Sequence, residues 1–157
     1  MAELPAVGAK APDFHLEKTG GGKAKLADFK SRKLVLYFYP KDDTTGCTQE
    51  AKDFSALAED FENAGAVVVG VSPDSVARHD RFRAKHNLSV ALLADESTDM
   101  LAAYGVWKEK SMYGRKYMGV ERTTLLIDGK GVVREVWPKV KVAGHAAAVL
   151  EAVKALK

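Results

Sequence analysis

Two uninterrupted apolar runs set the strongest limit on how this chain can fold. They lie at residues 34–39 (LVLYFY) and 66–72 (AVVVGVS). Both are short and rich in β-branched or aromatic side chains, which indicates strands rather than helices. A strand that is apolar on both faces needs a covering layer on each side. The two runs therefore predict the middle of a sheet with helices above and below it.

The remaining pattern supplies the other strands and the helices of this sheet. A turn at residues 19–23 predicts an N-terminal hairpin with strands at 13–17 and 26–29, and later residues predict a strand at 90–94 and a hairpin at 123–137. Apolar residues at helical spacing predict helices at 47–63 and 143–156. Cap residues predict a helix that begins at 72–75 and runs to about 86, and a short helix at 97–104. Residues 105–119 are expected to be a loop. Strands that alternate with helices pair in parallel, and the late hairpin adds antiparallel pairing, so the fold class is α/β with a central mixed sheet.

Composition limits the class of protein. A length of 157 residues predicts one domain over 1–157, and 46% hydrophobic with 29% charged residues is ordinary for a globular chain. The net charge is only +3, and the lysines and arginines are scattered among the acidic residues, which argues against a nucleic-acid partner. No apolar run is long enough to span a membrane, and the start lacks a signal-peptide pattern. One cysteine excludes an internal disulfide framework, so we expect a cytoplasmic protein.

The only cysteine, Cys47, lies where a polar turn becomes a helix. Pro40 ends the preceding strand because it cannot donate to a β-ladder. A helix start offers free N–H groups and the positive end of the helix dipole, both of which stabilise a thiolate. A lone cysteine can also be a small buried hydrophobe. Its polar neighbours favour the interpretation that Cys47 attacks an electrophile.

Three stretches of the chain resemble a known family. The spacing Pro40-x-x-x-Thr44-x-x-Cys47 matches the peroxiredoxin signature. The wider text YFYPKDDTTGCTQEAKDF, with residues 105–128 and 139–150, is similar to the peroxiredoxin Q (bacterioferritin comigratory protein) subfamily. The resemblance implies a thioredoxin-like fold with an N-terminal hairpin extension. It also implies a thiol-dependent peroxidase that reduces hydrogen peroxide and organic hydroperoxides and carries no cofactor.

The family pattern implies roles for three catalytic residues. Cys47 would be the peroxidatic thiolate, which becomes a sulfenic acid. Thr44 would orient the peroxide through its hydroxyl, and Arg122 matches the distant active-site arginine. Taken without the motif, Arg122 would instead be interpreted as a surface ion pair.

Three further residues are expected to support this site. Pro40 would shield the thiolate from water, and the backbone N–H of Gly46 would join that of Cys47 in an oxyanion cradle. Glu50 would position an arginine. These roles, too, come from the resemblance.

Two departures from the family pattern affect the expected cycle. Thr45 stands where the family usually has proline. Lys52 and Arg83 occupy the positions at which the subfamily often carries a resolving cysteine, so the chain resembles a one-cysteine form. An external thiol must then recycle it, and thioredoxin, glutaredoxin with glutathione, or a small thiol is expected. The subfamily favours a monomer, and an intermolecular disulfide dimer stays open.

Other constellations offer weaker hypotheses. The four histidines show no ligand spacing, so no metal site is expected. A cysteine–histidine hydrolase using Cys47 and His145 is conceivable, but His145 is better interpreted as an ordinary polar residue near the start of the last helix. A redox sensor or binding module built on a slowly oxidised Cys47 is the alternative to a peroxidase.

Three aromatic residues fall in the stretch expected to be a loop. Trp107, Tyr113 and Tyr117 could rim the mouth of the active site. Aromatic packing beneath a loop is the commoner arrangement, and we expect that arrangement here.

Overall fold

The computed structural model describes residues 3–157. Its strands are β1 His15–Lys18, β2 Lys23–Lys25, β3 Lys33–Phe38, β4 Ala66–Ser72, β5 Ala91–Ala94, β6 Trp107–Met112, β7 Arg115–Val120, β8 Thr123–Ile127 and β9 Val133–Trp137. Its helices are α1 Thr45–Ala56, α2 Ala58–Asn63, α3 Val76–Lys85, α4 Asp99–Ala103 and α5 His145–Ala155. Among residues 3–157, no helix has the length and apolar character needed to cross a bilayer.

Seven of these strands form one mixed sheet in the order β2-β1-β5-β4-β3-β8-β9. The central strands β5, β4 and β3 are parallel, and β8 and β9 continue the sheet in antiparallel pairing. The N-terminal hairpin β1–β2 pairs antiparallel with β5 and extends the other edge. This is the mixed α/β sheet with a hairpin extension that the sequence predicted.

The two apolar runs are buried on both faces, as their composition predicted. In β3, Val35 and Tyr37 enter a core cluster that contains residues of α1, α2, α3 and α5. The alternate residues Leu34 and Leu36 enter a second cluster that includes residues of α4. Because successive side chains of a strand point to opposite faces, one continuous apolar strand serves both layers. The sheet therefore holds the end of β3 rigidly, and the segment that carries Cys47 begins there.

Close packing in this sheet requires a glycine in β4. A Cβ at Gly70 would lie 2.6 Å from Tyr37 Cζ and 2.9 Å from Leu92 Cδ2. The ring of Tyr37 lies in this space and also stacks on Phe54 of α1, with ring centroids 4.8 Å apart. Gly70 thus allows β3, β4 and α1 to pack tightly beneath the cysteine.

Three predictions about local structure were wrong. Residues 26–29, expected to form a return strand, are a 3₁₀ turn, and the return strand is β2. The helix predicted over 47–63 is interrupted at Leu57, so it consists of α1 and α2. Residues 105–119, expected to be a loop, contain most of a regular hairpin, β6–β7. This hairpin lies outside the main sheet and exposes both of its faces, so it lacks the apolar alternation that marks a half-buried strand.

Candidate active site

The strand–turn–helix segment places Cys47 in the first turn of α1. Tyr39 N–H still donates to Val71 O (3.0 Å), after which Pro40 ends the pairing. Thr44 is the N-cap residue in extended conformation, and the first intrahelical bond runs from Thr48 N–H to Thr44 O (2.9 Å). The N–H groups of residues 45–47 precede that bond and have no carbonyl one turn back. Cys47 therefore lies at the positive end of the helix, as the sequence predicted.

Arg122 contacts this thiol from a distant part of the chain. It follows β7 directly before β8, and its Nη2 lies 3.3 Å from Cys47 Sγ. Cys47 itself is only 2% exposed. Burial by itself would lower the pKa of Arg122, but the charges of Glu50 and Cys47 outweigh it and hold that pKa above its usual range. A permanent cation thus faces a buried sulfur.

Glu50 completes the group from the same helix. It lies three residues after Cys47, on the same face of α1, and its Oε1 accepts a bond from Arg122 Nη1 at 2.6 Å. The side chain is 1% exposed, and its Oε2 has no hydrogen-bond partner among residues 3–157. Burial raises the pKa of Glu50 to about 7, against the opposing attraction of Arg122. The structure therefore brings together Cys47, Arg122 and Glu50, which the sequence had separated by up to 75 residues.

Gly46 has a steric role that the sequence did not reveal. A Cβ at this position would lie 3.2 Å from Arg122 Nη2. Contacts this short require the neighbour to move. Glycine therefore lets the guanidinium lie across the helix start and reach Cys47.

The other two predicted residues lie on the loop before α1. Thr44 is exposed, and its hydroxyl donates to Lys41 O at 2.8 Å. Because the proton is used in that bond, the Thr44 oxygen keeps lone pairs that can accept a bond from a peroxide O–H. Pro40 is half-buried at the end of β3. The predicted roles of both residues stay predictions.

A buried polar network that no motif in the sequence indicated anchors the loop. Asp42 accepts bonds from Tyr39 O–H and from His79 Nδ1, both at 2.6 Å. Asp42 N–H donates to Asp74 Oδ2 (2.8 Å), and His79 Nε2 lies 2.9 Å from Leu93 O. Asp42, Asp74 and His79 are close enough together to hold a metal ion. Each of them already has protein partners, so the network acts as a clamp between the loop and the start of α3.

A second anchor lies on the neighbouring residue of the loop. Asp43 pairs with Lys85 Nζ at 2.6 Å and with His86 Nε2 at 2.8 Å. These two bonds lower the pKa of Asp43, which is exposed. Both carboxylates of the DD pair therefore bind α3 or the residue after it. Sequence spacing offered no signal for these contacts, because the partners lie more than 35 positions away.

His145 differs from its predicted description. It is the first residue of α5, as expected, but it is buried rather than ordinary and polar. Its Nε2 lies 2.8 Å from Thr124 Oγ1, and its ring packs nearly perpendicular to the rings of Phe54 and Trp137. Burial, with a smaller effect of Arg122, lowers the pKa of His145 to about 4. In residues 3–157 the hydrogen bond to Cys47 Sγ comes from Arg122, so the structure gives no support to a cysteine–histidine pair.

The aromatic residues of the supposed loop also differ from expectation. Trp107 packs against the second core cluster. Tyr113 and Tyr117 lie on the hairpin β6–β7 and are exposed, 97% for Tyr113. The expected aromatic packing is thus correct for Trp107, which lies on β6 rather than under a loop, and wrong for the two tyrosines.

Comparison with known proteins identifies this arrangement. The profile of the AhpC/TSA family matches residues 7–136, which is most of the chain. The chain belongs to this family. A peroxiredoxin Bcp of Bacillus subtilis is 48% identical over 148 residues, which cover 94% of each chain. A peroxiredoxin Q of Xanthomonas campestris superposes with a TM-score of 0.89 at 46% identity, covering 98% of this chain and 97% of that one.

The relatives also establish the subfamily and the general activity. A peroxiredoxin Q of Xylella fastidiosa superposes with a TM-score of 0.92 at 39% identity and covers 98% of each chain. With one cysteine in its sequence, the chain is a one-cysteine peroxiredoxin of the peroxiredoxin Q/Bcp group and has the thioredoxin-like fold. It is therefore a thiol-dependent peroxidase.

Proposed function

We propose that Cys47 is the peroxidatic nucleophile of this peroxidase and that Arg122 is its main electrostatic partner. The observation that carries the proposal is the 3.3 Å contact between Arg122 Nη2 and Cys47 Sγ, in a site where the sulfur is almost fully buried. Glu50 holds Arg122 in this position through the 2.6 Å ion pair. Residues 1–157 would form one domain that carries the complete site.

The proposed step transfers one oxygen atom to sulfur. The Cys47 thiolate attacks the nearer peroxide oxygen, an S–O bond forms, and the O–O bond breaks. Sulfur is oxidised by two electrons to a sulfenic acid, and the other oxygen leaves as water or an alcohol after it takes a proton. Negative charge grows on that oxygen during the step, within reach of Arg122 and the free N–H groups at Gly46 and Cys47.

A larger thiolate fraction alone cannot explain a fast peroxidase. For a thiol of pKa ~8.5, lowering the pKa by ~2.5 gives at most about 30-fold more thiolate at neutral pH. Nucleophilicity falls with pKa, by roughly 10-fold for that change. The remaining acceleration must come from holding both oxygens in line with sulfur and stabilising the charge that develops. Thr44, which can accept a bond from the peroxide O–H, and Arg122 are suited to this task.

The substrates that we propose are hydrogen peroxide and organic hydroperoxides. Alkyl peroxide reduction activity is described for a bacterioferritin comigratory protein of Xanthomonas campestris that is 45% identical to this chain. Both classes contain the O–O bond that the site would cleave. Because the reacting group is small, it is suited to a cysteine that is only 2% exposed.

We propose further that an external thiol recycles the enzyme. The chain has no second cysteine, and the family resemblance places Lys52 and Arg83 where a resolving cysteine would lie. Thioredoxin, glutaredoxin with glutathione, or a small thiol would attack the sulfenic acid. The proposed form is a monomer in the cytoplasm, where reductants keep a lone thiol reduced.

The first experiment measures the second-order rate of Cys47 oxidation by hydrogen peroxide in the reduced protein. Trp107 and Trp137 provide a stopped-flow fluorescence signal, and intact mass records the product. We expect a rate orders of magnitude above that of a free thiolate, with a sulfenic product, and a large loss in Arg122→Met. A rate equal to that of a free thiol would refute the proposed site and favour the redox-sensor alternative.

A further inference from the structure

The β6–β7 hairpin is an exposed element that begins beside the proposed site. Its last residue, Val120, is two positions before Arg122. The ion pair of Lys108 with Glu121 (2.8 Å) ties its base to that connection. Each strand has six residues, so the tip lies about 20 Å from the base. The hairpin therefore reaches from the edge of the site into solvent.

Its surface has the composition of a protein interface. Four of the five exposed large hydrophobic residues in residues 3–157 lie on it, namely Met112, Tyr113, Tyr117 and Met118. Tyrosine, methionine and arginine are enriched where proteins bind one another. A concentration of such residues on one hairpin marks an interaction surface rather than scattered exposure.

Tyr113 at the tip is unfavourable for the local fold. It has φ 53° and precedes Gly114 with φ 77°, which is the backbone of a two-residue turn with both angles positive. Asparagine suits the first position of such a turn far better than a bulky aromatic residue. Since the ring is 97% exposed, packing within the chain does not compensate for this choice. The ring is therefore available for a contact outside the chain.

Charge distinguishes the two faces of the hairpin. Alternate positions of a strand share a face, so Lys110 and Met112 lie on the same face of β6. Their partners on β7, Tyr117 and Arg115, lie on that face of the hairpin too. Within residues 3–157, neither Lys110 nor Arg115 has a carboxylate within 4.0 Å. The opposite face is balanced, because Lys116 pairs there with Glu109 at 3.6 Å. Burial and the nearby charge of Arg122 lower the pKa of Lys110, so this face adjoins the site.

We propose that this face, consisting of Lys110, Met112, Arg115 and Tyr117 with Tyr113 at the tip, docks a dithiol protein reductant. The partner would carry acidic residues and apolar groups around its reactive cysteine. A projecting hairpin fits a groove on a protein, whereas small thiols bind in concave pockets. This inference rests on the proposed function, since a reductant has work at this face only if peroxide oxidises Cys47 to a sulfenic acid.

The docked reaction returns Cys47 to its reduced state in two steps. A partner thiolate attacks the sulfenic sulfur, an S–S bond forms, and the hydroxyl leaves as water after it takes a proton. The partner's second thiolate then attacks the sulfur of the partner's first cysteine in the mixed disulfide. The Cys47 thiolate is released as the leaving group. The partner is oxidised by two electrons to a disulfide, and Cys47 regains those electrons.

The test compares two reductants on the same oxidised protein. Wild type, Arg115→Glu and Tyr113→Asn are oxidised with one equivalent of hydrogen peroxide and mixed with a reduced acidic thioredoxin or with uncharged dithiothreitol. Lys130→Glu is the matched charge reversal, because Lys130 is exposed at the opposite end of β8. We expect the ratio of the thioredoxin rate to the dithiothreitol rate to fall about 10-fold in Arg115→Glu and to stay unchanged in Lys130→Glu. Added salt should lower the wild-type ratio more than that of Arg115→Glu.

Three results would overturn the inference. Equal ratios in wild type, Arg115→Glu and Tyr113→Asn would show that the reductant does not bind this face. If wild type sediments as a dimer and these variants sediment as monomers, the face would instead bind a second copy of the chain. A ratio that falls equally in Lys130→Glu would indicate net charge rather than a docking surface. Failure of wild type to form any sulfenic acid would instead refute the proposed function, and mass spectrometry detects that before any reductant is added.

Discussion

Replacing Glu50 by glutamine should change how the stability of the protein depends on pH. Burial raises the pKa of Glu50 from 4.5 to about 7. The folded protein therefore keeps a proton that the unfolded chain releases, and its free energy of unfolding decreases as the pH rises through this window. A rise of this size corresponds to about 3 kcal/mol, at ~1.4 kcal/mol for each pH unit. Glutamine retains an oxygen that can accept from Arg122 but cannot ionise.

The assay is urea unfolding of wild type and Glu50→Gln over the range from about pH 4.5 to about pH 8.5. The difference between the two proteins removes the contribution of titrating groups that do not interact with Glu50. We expect it to grow by about 3 kcal/mol in favour of the variant and to level off above about pH 7.5. Glu62→Gln is the control, because Glu62 lies exposed on α2, and its curve should follow wild type. Parallel curves for wild type and Glu50→Gln would refute the argument that burial controls this carboxyl.

Three further predictions use other parts of the structure. Gly70→Ala should destabilise the fold by about 1–3 kcal/mol, because its Cβ would meet the Tyr37 ring; an unchanged urea midpoint would show that the ring can move aside. Thr44→Val should slow peroxide oxidation about 100-fold by stopped flow while the thiolate absorbance at neutral pH hardly changes; small, equal effects on both would contradict transition-state stabilisation. In wild type, the folded state keeps His145 neutral while the unfolded chain takes up a proton, so up to about 3 kcal/mol of stability should be lost as the pH falls from 6.5 to about 4. His145→Gln should not show this loss, and a pH dependence of unfolding parallel to that of wild type would disprove the prediction.

The sequence was sufficient for the parts of the fold that depend on local pattern. β4 begins and ends where the apolar run at 66–72 predicted. Burial on both faces leaves a continuous apolar run, which is a strong signal. The hairpin β6–β7 left no such signal, because its lysines, glutamate and serine face solvent and its turn is Tyr-Gly rather than Asn-Gly.

The site was predictable only where the chain supplied a motif. Cys47 could be found from its place at a helix start, whereas Arg122 alone would have been interpreted as a surface cation. The contact between Asp42 and His79 was not foreseen, because pairing across 37 positions follows from the crossing of β3, β4 and α3 rather than from spacing. His145 was misjudged for the same reason: its burial depends on Phe54 and Trp137, which come from other elements.

The clamp on the loop before Cys47 determines which part of the molecule can open. Asp42 and Asp43 are held by His79, Lys85 and His86, so that side of the cysteine is anchored. On the other side, α1 runs only to the interruption at Leu57. We therefore expect the site to open by movement of α1 away from the fixed loop, with one hinge on each side of Cys47. Peroxide would then react with the closed shape and a bulky thiol with the open one, so the rate of labelling by a large maleimide would report how often the enzyme exchanges between the two.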